Sequence, residues 1–487
     1  MLCRDQVGTV HGRDSGAVMH HQNQNHSLDR LSALPDDILA QIFELVGRFS
    51  RRQLVNVSRL NQRAHAIVDR ILYKDIILFG APQHHVVFAE SLRRRPRRAS
   101  LITTVALVFA PPSPPSPPPL SPTSLSPVGA GDAVPAHVHM TVSPALSAMS
   151  NLQTLTVDVP DTLLHSIGSL FNGPFDLPSL TRCSLNYRTA DKKACRFWDL
   201  RENIHVFASP TIETLTVRGA RLDHRGFGEF MERPHQTPLR TLHFVDCDLS
   251  DDGLTDLLAF PTALEEFVLV AHDCDPDDGS EVELEETADN IGYYVSALDA
   301  QRHALRHVTL DLPAPQVTGR RALRMRDYAR LETLRLGWDY HLFGRTGKKP
   351  RMHSVAFPPK IRTVEFLNEL GTDEQVTELL EAAIMIRDVL ARDWERLIVP
   401  EGDEQVLGLI KRACREVGLG LTIIGQGDLE GDADSRDEEL EAENRNPGGA
   451  TETNREGGLT IKDQILLDGG HPEALHLDRH VLGSAVA

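Results

Sequence analysis

The chain has 487 residues, a formal net charge of −18, and 41% hydrophobic against only 5% aromatic residues. That length implies several domains or one elongated one, built on an aliphatic core. The acidic balance argues against general nucleic-acid binding, which needs a basic surface. The six cysteines contain no CxxC pair, which argues against a zinc or disulfide framework and for a reducing compartment, cytoplasm or nucleus. The N-terminus lacks an apolar secretory core and no run reaches the ~20 apolar residues of a membrane span, so neither is expected.

Residues 1–27, rich in His, Gln and Asn, read as a disordered tail. Residues 28–79 are helical by pattern. In LSALPDDILAQIFELV (31–46), Pro35 suits the first helical position, and Asp36 and Asp37 suit the positive end of the helix dipole. Ile38, Ile42 and Val46 form one apolar stripe, and Leu39 and Phe43 a second beside it. Together they cover more than half the circumference, so this helix needs two surfaces to bury it. Ser50 can cap a second helix carrying Leu54 and Val57. A third, about 61–72, presents Ala64, Ile67, Val68, Ile71 and Leu72. Three short helices make a thin core, so the spare apolar surface of the first helix is expected to meet another protein.

LRRRPRR at 92–98 reads as the solvent face of a helix leading into a strand, VALVF, in preference to a nuclear-localisation signal or phosphate contact. PPSPPSPPPLSPTSLSP (111–127) can be neither helix nor central strand; an extended insertion is expected from about 110 to about 145. Beyond it an apolar-x-x-apolar-x-apolar frame recurs. It appears at Leu152–Leu155–Val157, Leu180–Cys183–Leu185, Ile212–Leu215–Val217 and Leu239–Leu242–Phe244. It continues at Leu264–Phe267–Leu269, Leu305–Val308–Leu310, Leu331–Leu334–Leu336 and Ile361–Val364–Phe366. Ile102–Val105–Leu107 and Trp394–Leu397–Val399 are weaker copies. The last two apolar positions differ by two and share one face of a strand. Such a strand is stable only when stacked on others like it. Helical spacing marks 252–260, 372–390 and 404–418, the last leading into a final strand, LGLTII. Residues 428–487, opening on an acidic run, read as a disordered tail.

Two resemblances follow. Leu239-x-x-Leu242-x-Phe244-x-x-Cys247-x-Leu249 is similar to the longer leucine-rich-repeat template, and Ile212 to Leu222 keeps that frame with Ala220 in the Asn/Cys position. Leu34, Pro35, Asp37, Ile38, Leu39, Ile42, Phe43, Leu54 and Val57-Ser58-Arg59 resemble the F-box, with Asp37 where Glu is usual and Tyr73 in place of a late Trp. The combination implies an α/β chain: a small three-helix F-box (28–79), then a leucine-rich-repeat-like solenoid of short parallel strands and helices (80–427). It implies a non-catalytic subunit of an SCF-type ubiquitin ligase, without cofactor or metal. A Skp-family adaptor, and through it cullin and RING subunits, would bind at Leu34, Pro35, Ile38, Leu39, Ile42, Phe43, Leu54 and Val57, some of which must instead hold the F-box core. A protein substrate would meet the strands, with Gln153, Arg182, Glu213, Arg240, Arg306, Glu332 and Arg362 as candidate contacts. The alternative is a repeat scaffold without ligase function.

Other motifs fail on spacing. HDCDPDD (272–278) places Gly279 one position late for a calcium loop and the apolar Leu284 at its twelfth place. The histidines of HHQNQNH (20–26) and of HH (84–85) come without cysteine or carboxylate at metal spacing, and His84 and His85 read as a surface pair. GLGLTIIGQG (418–427) places its glycines before a strand, the wrong order for a dinucleotide loop. Cys247 reads as a core residue.

Overall fold

In the computed structural model, residues 33–80, 82–109, 136–159, 177–187, 197–223, 236–271, 285–287, 291–312, 325–337, 357–370 and 374–425 are described. Both expected tails, the Pro/Ser tract and HDCDPDD lie outside them. Three helices come first: α1 (Asp36–Phe49), α2 (Arg51–Ser58) and α3 (Gln62–Leu72). Pro35 stands one place ahead of α1, as its N-cap, and its carbonyl accepts from Leu39 N at 3.1 Å. Ser50 Oγ accepts from Gln53 N (3.3 Å) and Asn61 Oδ1 from Ala64 N (2.7 Å), each pairing an amide that a helix start leaves open. Arg63 ties α3 to the head of α1 through Asp36 Oδ1 (2.6 Å) and the Leu34 carbonyl (2.5 Å).

The helical unit ends sooner than expected. Residues 75–80 form a strand, β1 (Asp75–Gly80), because Ile76 and Leu78 face the core while Ile77 and Phe79 face outward, a period of two. Thirteen more strands follow among the described residues: β2 (Thr104–Phe109), β3 (Thr154–Val159), β4 (Arg182–Tyr187), β5 (Trp198–Asp199), β6 (Thr214–Arg218), β7 (Ala220–Leu222) and β8 (Thr241–Leu249). Then come β9 (Glu266–Ala271), β10 (His307–Asp311), β11 (Thr333–Leu336), β12 (Thr363–Phe366), β13 (Arg396–Pro400) and β14 (Gly420–Ile424). They form one sheet in which each strand lies beside the next in sequence, β5 and β7 making a short side ribbon against β8. The pairing is parallel throughout. The protein is therefore α/β.

Register explains the repeated frame. One rung of Cα partners runs from Ile76 and Val105 through Leu155, Cys183, Leu215 and Leu242 to Leu421. A second runs from Leu78 to Phe366. Every copy of the frame, the two weak ones included, places its second position in the first rung. Both rungs are buried, apart from the partly covered Leu421 at the end of the first, and belong to one continuous core. The ring of Phe244 stacks on Phe207 (6.2 Å) and meets Phe267 edge-on (6.4 Å). At the end of β6 the chain turns a corner at Gly219 (φ +69°), and β8 turns beside it at Asp246 (φ +53°). Glycine takes this left-handed conformation freely and Asp tolerates it.

The helices of the connections bury their apolar sides in the same core. They are α4 (Pro82–Arg94), α5 (Pro96–Ala99), α6 (Ala136–Ser147), α7 (Asp251–Leu258), α8 (Ile291–Leu298), α9 (Glu374–Met385), α10 (Arg387–Leu390) and α11 (Glu404–Val417). Two differ from expectation. The insertion expected to stay extended to about 145 gives way to α6 at Ala136, where Val142 and Leu146 reach the core. The single helix expected over 372–390 is broken at Ile386 (φ −107°, ψ 20°) into α9 and α10. Gly418 ends α11 in the left-handed conformation (φ 67°), a common helix stop. Buried Gln301 stitches neighbouring turns: its Oε1 accepts from Leu264 N, and its Nε2 donates to the Leu258 and Pro261 carbonyls. Among the described residues no helix is long and apolar enough to cross a membrane.

A buried cation joins the three-helix unit to the sheet. Arg98, from α5, is 2% exposed. It donates to both carboxylate oxygens of Asp69 on α3 at 3.3 Å and lies 4.5 Å over the ring of Tyr73. The sequence placed Arg98 on a solvent face, but here it turns inward. Asp69 keeps 18% exposure, so removing Arg98 leaves a largely buried carboxylate without its cation. Arg98→Ala should therefore cost about 3 kcal/mol by denaturant titration, with Asp69→Leu in the same chain recovering part of the loss.

A charged row marks where the strands begin. Glu213, Arg240, Glu265, Arg306, Glu332, Arg362 and Glu395 sit one residue ahead of successive strands, and each N–H donates to the preceding coil, as Arg240 N does to the Glu213 carbonyl at 2.8 Å. Their charges alternate, with ion pairs Arg240–Glu265 (3.4 Å) and Arg306–Glu332 (3.8 Å). Arg306→Glu would set three acids side by side. It should cost about 0.5–1 kcal/mol at low ionic strength and less in high salt, read from the salt dependence of the unfolding midpoint.

Candidate functional site

The first candidate surface is α1. The structure separates the eight residues expected to meet an adaptor. Leu39, Phe43 and Leu54 are buried within the helical unit's own core. Leu34, Ile42 and Val57 pack half-buried on its margin. Pro35 and Ile38 face solvent. Three exposed residues escaped that set: Leu45 (54% exposed), Phe49 (89%) and Leu60. Ile38, Ile42, Leu45 and Phe49 recur at i, i+4, i+7 and i+11, so they line one side of α1 along its whole length. Phe49 was detectable in the sequence, since it continues that spacing; it stood outside the stretch read as one motif.

The second surface is the sheet face turned away from the helices. Of the seven residues expected to contact substrate, Arg182 lies on this face, within β4. Gln153, Glu213, Arg240, Arg306, Glu332 and Arg362 stand instead in the row of strand entrances, where Glu213, Arg240, Arg306, Glu332 and Arg362 belong to the alternating charges. Coil-to-coil pairing already engages Arg240, Arg306 and Glu332.

Near the end of β8, beside the side ribbon, a fully buried carboxylate, Asp248, accepts from Glu285 N (3.2 Å), Glu286 N (3.0 Å), Thr287 N (2.8 Å) and Arg221 Nε (2.9 Å). This anchors the residues that follow the acidic HDCDPDD stretch, a structural use of a charge that burial would otherwise make costly. The LRRRPRR cations are partly engaged: Arg93 and Arg94 both donate to Glu90, which lies below the usual carboxylate range chiefly because of the Arg93 hydrogen bonds. His85, expected on the surface, is buried, while His84 is exposed. Among the described residues no group of three or more His, Cys, Asp or Glu is placed to hold a metal ion.

The described cysteines are core residues. Cys183 and Cys247 occupy inner positions of β4 and β8, and Cys414 the inner side of α11. Burial raises all three thiols, Cys247 to about 12 and Cys414 to about 11. The thiolate is the reactive form. Iodoacetamide at pH 8 should leave Cys183, Cys247 and Cys414 unlabelled in the native protein and modify them after unfolding, as read by peptide mass spectrometry. Neither a protein-family profile nor a curated protein matches this chain.

Proposed function

We propose that this chain is the substrate-recognition subunit of an SCF-type cullin-RING ubiquitin ligase, an F-box unit followed by a leucine-rich-repeat-like solenoid. The observation that carries the reading is the apolar stripe of α1, in which Ile38, Leu45 and Phe49 are exposed and Ile42 half-buried, on a three-helix unit whose sequence resembles the F-box. One exposed aromatic and two exposed aliphatic side chains in one line, continued by half-buried Ile42, are costly in water unless a partner covers them. The ordered stack of parallel strands supports the second half of the reading.

In this role the protein performs no bond chemistry. A Skp-family adaptor would cover α1 and connect it to cullin and RING subunits. A protein substrate would sit on the sheet. The gain is proximity: a substrate lysine is held near a charged conjugating enzyme at high effective concentration. The buried Arg98–Asp69 pair would carry position from one binding surface to the other.

Point variants test this better than removal of residues 31–78, which would strip Arg98 of its partners. Ile38→Asp changes an exposed residue and should alter stability by no more than about 0.5–1 kcal/mol, yet it should abolish recovery of adaptor and cullin with the tagged chain from cells. Ile42→Asp, at a half-buried position, should also abolish that recovery, at a higher cost in stability. Leu39→Asp, one residue from Ile38 but buried, should unfold the helical unit. Adaptor recovery that survives Ile38→Asp and Ile42→Asp would sink the assignment and favour a repeat scaffold.

A further inference from the structure

The open face of the sheet is uneven along its length. On β1, Ile77 and Phe79 point away from the core and are 43% and 62% exposed. Ala106 and Val108 stand half-buried beside them on β2. From β3 the face carries hydroxyls at Thr154, Thr156, Ser184, Thr214 and Thr216, with Asp158 and Asn186 further along β3 and β4 in register with Val108. Its charges are mostly answered: Arg218 pairs with Asp246 (3.6 Å), His243 lies 3.3 Å from Glu266, and Arg335 pairs with Glu365 (2.6 Å). Arg182 differs. It is exposed, its Nε donates to Thr154 Oγ1 (3.2 Å), and it forms no ion pair among the described residues.

We propose that this end of the sheet binds an extended peptide that carries a large apolar side chain and, about five residues away, a carboxylate. The apolar group would cover Ile77 and Phe79, and the carboxylate would meet Arg182. Spacing sets the separation. β1 and β4 are three strand positions apart, about 14 Å, and Phe79 lies four residues further along the strand direction than the register partner of Arg182. The diagonal is about 19 Å from Phe79 and about 16 Å from Ile77, which an extended chain spans in five or six residues. Asp75, at the entrance side of β1, disfavours a second acid beside the apolar anchor. The hydroxyls of Thr154 and Thr156 between the two subsites suit a polar spacer, and Asp158, in register with Val108, like Asp75 disfavours an acid near the apolar anchor. The inference names a peptide class for the proposed recognition subunit and rests on that reading only in calling the peptide a substrate.

The test is selection of displayed random dodecapeptides on the purified full-length chain, on Phe79→Ser and on Arg182→Glu. Both replaced side chains are exposed, so both variants should fold. The wild type should enrich a large apolar residue with Asp or Glu four to six positions away. Arg182→Glu should exchange the acid for Lys or Arg, and Phe79→Ser should lose the apolar preference. Each should weaken the best wild-type peptide at least about tenfold. Enrichment without this spacing, selection unaltered by Arg182→Glu, or no enrichment at all would overturn the proposal. Adaptor recovery, measured on the same variants, should not change. Its absence from the wild type would overturn the ligase reading and leave the peptide result standing.

Discussion

A strand of four to six residues cannot cover its own inner face or pair its own backbone. Everything else in this protein follows from how that need is met. Parallel stacking pairs each strand with its sequence neighbours, and it forces equivalent positions into shared rungs, so the rung at Leu155 must also be apolar at Cys183, Leu215 and Leu242. The connections then supply helices whose apolar sides close the core. Once both faces are divided in this way, the helix side carries stability and the open side is free to vary chemically.

The same constraint governs the junction. The three helices precede the sheet and α3 packs against its first strand, so their relative position is set by packing and by a charged contact, Arg98 with Asp69, the guanidinium lying over the ring of Tyr73. A buried ion pair is a weak source of stability but a demanding one, because it is satisfied in only one arrangement. For a protein proposed to hold two partners at a fixed separation, that selectivity matters more than the energy.

Much of this was legible in the residues. The rungs appear as a recurring spacing, and Ser50 and Gly418 occur where helix ends need them. The two apolar stripes of α1, Ile38–Ile42–Val46 and Leu39–Phe43, were also readable, though not which of them faces the core. What was hidden depended on partners distant in sequence. Arg98 reads as one more exposed arginine until Asp69, twenty-nine positions earlier, is brought beside it. β1 was concealed because its alternation follows directly on a helix. The entrance charges looked like contacts for a substrate, since alternation between coils cannot be seen until the coils are stacked. The division of Ile38 from Leu39 needed the packing of α2 and α3. The spacing between copies is irregular while the spacing between strands is uniform, because connections of different length leave from the strand ends without disturbing the register.

The two ends of the stack are finished differently. At one end the helical unit and its buried ion pair close the core. At the other, among the described residues, β14 has β13 as its one hydrogen-bonded strand, and Leu421 and Ile423 are partly covered. Where each unit touches mainly its neighbours, stability is passed along the array and losses begin where a neighbour is missing. Thermal fraying and mechanical unzipping should thus start at β14 and travel toward β1. The part of the molecule that would be last to yield is the part joined to α1, so the anchor outlasts the free end.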